Sequence, residues 1–147
     1  MATETLPVIG WREWGVFPDI ANEKIKIKVD TGAKTSCLHA FKIKPFQRNE
    51  CPWVRVWLHP EQHSDRAVIC EFPVHDRRQV SDSGGHKQLR YVVKTRLFLG
   101  PHQFELELTL TNRDNMKFRM LLGRRALDGR FLIDPAASYL TGKPQPG

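Results

Sequence analysis

The chain has 147 residues, 40% hydrophobic and 27% charged, with a formal net charge of +7 and a pI near 9.6. This composition fits a folded globular protein and argues against a disordered one. No apolar run approaches the roughly 18 residues of a membrane helix, and no basic stretch followed by an apolar one marks a signal peptide, so no membrane partner is expected. Three cysteines without close spacing, Cys37, Cys51 and Cys70, speak against a disulfide framework and for a reducing, cytoplasmic setting. The basic residues are scattered: Arg77-Arg78 and Arg124-Arg125 are the only adjacent arginine pairs. The positive excess therefore reads as a solvated surface, with no nucleic-acid partner expected. Trp53, Trp57, Phe41 and Phe46 are assigned to core and rim rather than to base stacking.

In chain order, Val8 to Val16 is expected as a first strand, stopped by Pro18. Lys24 to Asp30 follows, with Ile25, Ile27 and Val29 alternating with Lys24, Lys26 and Lys28. Alternation at period two is the signature of a half-buried strand. A strand resumes from Cys37 to Ile43, and Pro52 to Leu58 alternates tryptophans with valines. Ala67 to Val74 and Leu89 to Leu99 flank a polar, glycine-containing stretch, and Gln103 to Thr111 is the clearest strand of all. Arg124 to Asp128 is the only helical segment, ended by Gly129, and Phe131 to Ile133 forms a last strand before Pro135. Many short strands with one late helical turn predict an all-β fold, a closed or nearly closed barrel. It is read as a single domain over 1–147, ordered from about 8 to 140, with loose ends at 1–6 and 142–147.

The chemistry centres on Asp30-Thr31-Gly32-Ala33, where an alternating strand delivers a carboxylate into a tight turn. Gly32 is expected to permit the bend by adopting angles closed to other residues. Paired carboxylates in such turns share a proton and activate water, and one sequence of this kind requires its second carboxylate from another copy of the chain. A turn-capping carboxylate is the structural alternative for Asp30. Asp82-Ser83-Gly84 has a similar composition but lies in the polar run from Ser81 to Gln88, which reads as a hairpin tip with Gly84-Gly85 supplying the turn. Such a hairpin suits a flap over a substrate.

No metal or other cofactor is expected. His59 and His63 are separated by Pro60, and Glu61 stands one position too late for a helical zinc-protease motif. Cys70, His75 and His86 show no zinc-ligand spacing. Cys37 is read as a small buried thiol.

The Asp30 turn, the hairpin at Gly84-Gly85 and Met120-Leu121-Leu122-Gly123-Arg124 occur in the order found in retropepsins, the single-lobe aspartic proteases. More closely, the chain resembles a bacterial retropepsin-like family long labelled ATP-dependent zinc proteases, some of whose members lie near ATP-grasp peptide ligases. The resemblance runs from about Val8 to Leu140. It rests on Trp11-Arg12-Glu13-Trp14, on Val29 to Ser36, on Leu38-His39-Ala40, on Leu110 to Met116 and on Phe118 to Arg124.

It implies a homodimeric peptidase acting on a peptide or protein, with Asp30, Thr31 and Gly32 as the catalytic turn and the Gly32 amide close to the carboxylates. Ala33, Lys34, Ser83, Gly84, Gly85 and Arg124 would contact substrate, and an ATP-grasp ligase is a candidate functional partner. In retroviral enzymes an acidic residue follows the turn and pairs with the arginine after the apolar-Gly element. Lys34 stands there instead, which leaves Arg124 to another partner, Asp128 or Asp114, and favours acidic substrates. The alternative function is a catalytically inactive module with the same fold, binding acidic or glutamate-rich tails.

Overall fold

The computed structural model describes residues 5–61, 63–81, 84–112 and 117–142. The loose ends expected at 1–6 and 142–147 fall mostly outside these residues, as do Asp82, Ser83 and Asp114. Within them the chain forms strands β1 (Val8–Phe17), β2 (Glu23–Val29), β3 (Ser36–His39), β4 (Lys42–Arg48), β5 (Cys51–Leu58) and β6 (Val68–Pro73). After these come β7 (Asp76–Ser81), β8 (Lys87–Leu99), β9 (His102–Thr111), β10 (Met120–Leu122), the single turn α1 (Arg124–Leu127) and β11 (Leu132–Ser138).

One sheet runs β11-β1-β2-β10-β3-β9-β8-β7, and a further β1–β8 pairing closes its six central strands into a barrel. The all-β barrel with one short helix is thus present. A separate sheet, β4-β5-β6, folds against it: Val54, Val56, Leu58 and Phe72 join Ile27, Leu38, Leu108, Met120 and Leu122 in one buried cluster. The expected alternation of β5 holds, with Val54 and Val56 fully buried and both tryptophans half-buried on the opposite face.

Three elements differ from the sequence reading. The strand expected from Cys37 to Ile43 breaks at Ala40-Phe41, because β3 pairs with β9 and β10 while β4 pairs with β5 in the other sheet. β7 was hidden by its polarity: as the last strand of its sheet it reads Asp-Arg-Arg-Gln-Val-Ser, a composition that shields an exposed edge. The final strand passes through Pro135 to Ser138, which its edge position beside β1 tolerates.

Glu13 fastens the C-terminal segment to the barrel. Its carboxylate is fully buried and accepts hydrogen bonds from the amides of Gly10 (2.7 Å), Leu140 (2.9 Å) and Thr141 (3.0 Å) and from the Thr141 hydroxyl (2.8 Å). Four donors replace the water that a buried charge has lost.

Candidate active site

Strand β10 inserts between β2 and β3, parallel to the first and antiparallel to the second. The 30–35 turn that joins β2 to β3 is therefore held from behind by the chain that follows β10. The Asp30 amide donates to Leu122 O (2.9 Å), and the amides of Arg124 and Arg125 donate to Ala33 O (2.7 Å) and Lys34 O (3.1 Å). The Gly123 amide donates to the Ser36 hydroxyl (3.0 Å), which is buried.

Gly123 permits this approach. A Cβ there would lie 2.5 Å from the backbone carbon and oxygen of Thr35, far inside van der Waals contact. The apolar-apolar-Gly-Arg segment and the Asp30 turn are in this way one hydrogen-bonded unit. Ser36 was missed as a contributor, although a hydroxyl directly before a strand is a familiar backbone partner.

Asp30 itself is half-buried and follows the last residue of β2. Its Oδ1 accepts the Gly32 amide at 3.0 Å, closing an Asx turn, and no second hydrogen bond engages its carboxylate among the described residues. Gly32 serves as the resemblance implies, by the close approach of its amide to the carboxylate, and not by its backbone angle. Its φ is not positive, so the bend needs no glycine-only angle; a Cβ there would instead crowd Asp30 Oδ1 at 3.3 Å. The glycine keeps the carboxylate and its amide donor close and uncovered. Gly85, with φ of 81°, does have the left-handed backbone expected of a hairpin-turn glycine.

Thr31, Gly32 and Lys34 are exposed and Ala33 is half-buried, so the turn presents its outer surface to solvent in the single chain. Arg124 does not pair with Asp128, the described one of the two carboxylates expected for it. Its guanidinium donates to the Thr31 carbonyl at 3.4 Å, a contact within the same turn, and Asp114 lies outside the described residues. With a lysine at position 34, a backbone carbonyl is the acceptor that Arg124 finds among the described residues.

The β7–β8 hairpin rises from the same sheet with Ser81 opposite Lys87, so Gly84 and Gly85 belong to its tip. Ser83, the third residue assigned to this flap, lies outside the described residues. Elsewhere, His59 stacks on Phe41 with ring centroids 4.0 Å apart, and His75 Nε2 lies 3.1 Å from Glu107. Cys37 is buried, as expected, and burial pushes the Cys70 thiol up to about 12.

Clefts among the described residues include three of note. One of about 230 Å³ lies behind the turn between Thr35 and Arg130, one of about 250 Å³ beside Trp14 and His63, and one of about 480 Å³ between Phe46 and Tyr91. Asp30 lines none of the three.

Comparison with known proteins bears on the same region. A family model described as RimB-like, retropepsin-like aspartic endopeptidase RimB, matches residues 8–144. Probable alpha-L-glutamate ligases of Shewanella halifaxensis and Desulfotalea psychrophila are 47% and 44% identical over 137 residues, 92% of this chain. A probable alpha-L-glutamate ligase of Parasynechococcus marenigrum is likewise 47% identical over 92% of the chain. The chain spans about 30% of the length of these curated relatives. The crystal structure of a Legionella pneumophila protein of unknown function superposes with a TM-score of 0.79 at 26% identity, covering 93% of this chain and 99% of that one.

Proposed function

Because this chain belongs to the RimB-like family of retropepsin-like aspartic endopeptidases, we propose that it hydrolyses peptide bonds as a homodimer in which each copy contributes one Asp30. The observation that carries this reading is the Asp30 turn, clamped from behind by β10 and Gly123 with its carboxylate open in front. Rigidity behind and an unsatisfied acceptor ahead are what a water-activating carboxylate needs.

A two-fold dimer brings two identical turns together, and two carboxylates a few ångströms apart then hold one proton between them. The charged member takes a proton from water while the protonated member donates to the scissile carbonyl. Their titration belongs to the pair. Thr31, exposed next to Asp30, is the residue placed to contact its counterpart, and Gly84 and Gly85 lie in the hairpin that would cover the bound peptide.

The substrate proposed is an acidic, glutamate-containing chain. Support comes from the net charge of +7, from Lys34 and Arg124 at the turn, and from relatives named for ligating glutamate. By the same association an ATP-grasp ligase is the proposed functional partner. Those ligase names also favour a second reading, in which the domain grips a glutamate-rich tail without cutting it.

Turnover by the wild-type protein separates the two, and subunit mixing then tests the shared site. The Asp30→Asn protein should have no turnover, and an equimolar mixture with wild type, allowed to exchange, should keep about a quarter of the activity because only wild-type pairs work. Retention of one half would mean that single chains suffice. Hydrolysis by the variant itself would remove Asp30 from the mechanism.

A further inference from the structure

Arg90 is a nearly buried cation without a counter-charge among the described residues. It is 8% exposed on β8, its Nε donates to Gln88 Oε1 at 3.1 Å and its Nη1 lies 3.9 Å from Cys37 Sγ. No carboxylate pairs with it among the described residues. Its neighbour in the hairpin register makes the imbalance larger. Arg78 stands directly opposite Arg90, and Arg78 takes both nearby acids, donating to Asp76 Oδ2 (2.7 Å) and Glu107 Oε2 (2.8 Å). Like charges directly opposed across strands repel, and a buried charge without a partner is costly.

The register shows where this charge points. Lys28 pairs with Leu121, Leu121 with Cys37, Cys37 with Thr109 and Thr109 with Val92, so these residues share one face of the sheet; Arg90, two residues from Val92, shares it too. Asp30 lies two residues beyond Lys28, on the opposite side of that row from Arg90, so the row runs between them. By reaching Cys37, the Arg90 guanidinium spans β9 and comes to rest over β3, two strand spacings across and two residues along from Asp30, about 12 Å in all. An extended peptide advances about 3.3 Å per residue, so that distance is within reach of a glutamate side chain one or two positions from the scissile bond.

We infer that Arg90 is the specificity-determining residue of the site, receiving a substrate carboxylate in a subsite floored by Cys37 and walled by the flap-borne Gln88. This rests on the peptidase reading for its position but not for its chemistry. A guanidinium offers two parallel donors to a carboxylate, and a substrate glutamate would supply the missing negative charge. The arrangement is what an apolar pocket lacks: a glutamine in place of the glutamate leaves the cation buried and unpaired.

The test uses a glutamate-containing peptide and a series in which one glutamate at a time becomes glutamine. These are assayed for cleavage by the full chain, and for binding by calorimetry to the Asp30→Asn protein. Wild type should prefer glutamate over glutamine about tenfold or more at one position near the cut. Arg90→Met should bring that ratio close to one at that position and leave the ratios elsewhere standing, while Arg90→Lys should restore part of it. Arg90→Gln reads the same ratio should the methionine variant fail to fold. An undiminished preference in either neutral variant overturns the assignment. If wild type cleaves no peptide, yet Asp30→Asn binds glutamate selectively and loses that selectivity with Arg90→Met, the peptidase reading fails and the subsite stands.

Discussion

Glu13 and Asp30 lie on neighbouring strands of one hairpin and have opposite surroundings. Glu13 is fully buried, and four donors converge on it from β1 and from the C-terminal segment. Asp30 is half-buried, and one amide from its own turn reaches one of its oxygens. A carboxylate acts on a substrate only through lone pairs that the protein leaves open. Glu13 has used its lone pairs to hold the fold, whereas Asp30 has kept most of its own in reserve while its backbone is fixed by Leu122. Both belong to stretches that carry the resemblance to the family, so the resemblance alone does not separate a structural acid from a reactive one; the donor count is what singles out Asp30 as the proposed reactive one.

The contrast predicts a double dissociation. Asp30→Asn should lower turnover by about a thousandfold, within the range for loss of a general acid–base group, and move the urea midpoint little. Glu13→Gln should do the reverse in kind. It turns one acceptor into a donor facing buried amides, at a cost on the order of 3 kcal/mol in urea denaturation, and whatever protein remains folded should still cleave. A large stability loss in Asp30→Asn would mean that the turn, too, is built around its carboxylate. An unaffected Glu13→Gln protein would mean that solvent reaches that pocket.

How much of this was legible beforehand follows from the range of each interaction. The barrel strands were readable because alternation is local: Ile25, Ile27 and Val29 announce β2 without reference to its partners. Asp30 and the Leu122-Gly123 segment were readable because each is a short motif. Partnerships across the fold were not. Nothing local says that Arg124 will turn to Thr31 O, that Glu13 will collect the amides of residues 140 and 141, or that Arg90 will lie against Cys37. The last had one faint trace, a lone cation between apolar neighbours in Leu89-Arg90-Tyr91-Val92-Val93, a strand that otherwise buries well. Of the two roles expected of Gly32, the close approach of its amide holds and the special angle does not: turns attract glycine for either reason, and a tripeptide does not say which.

A smaller effect probes the clamp behind Asp30. Gly123→Ala places a methyl against the Thr35 backbone at 2.5 Å, and backbone cannot rotate aside as a side chain can. Overpacking of this kind costs about 1–3 kcal/mol, and the shift it forces passes directly to residues 33 to 36. Turnover should therefore fall together with stability, unlike in either carboxylate variant. A destabilised Gly123→Ala protein with wild-type kcat and KM would show that the clamp supports the barrel and not the turn.

The smallest predicted effect concerns the hairpin edge, where a third carboxylate stands between the two extremes. Glu107 on β9 is about one-third exposed and accepts from Arg78 on β7 at 2.8 Å; the Arg78 hydrogen bonds hold its carboxyl below the usual value of 4.5. A depressed folded pKa means stability that is present above the unfolded value and lost as pH falls through the folded one. The Arg78–Glu107 link should thus be complete at neutral pH and disappear in acid, below about pH 4. After allowance for solvent screening it is worth about 0.5–1 kcal/mol. Urea melts of Glu107→Gln and wild type should differ by that amount at pH 7 and converge near pH 3. Glu107→Gln leaves Arg78 with Asp76 alone and removes one negative charge from the surroundings of Arg90, so it should strengthen the hold on acidic peptides at pH 7. Weaker binding in Glu107→Gln would mean that the hairpin needs this ion pair more for its position than the site gains from losing that negative charge.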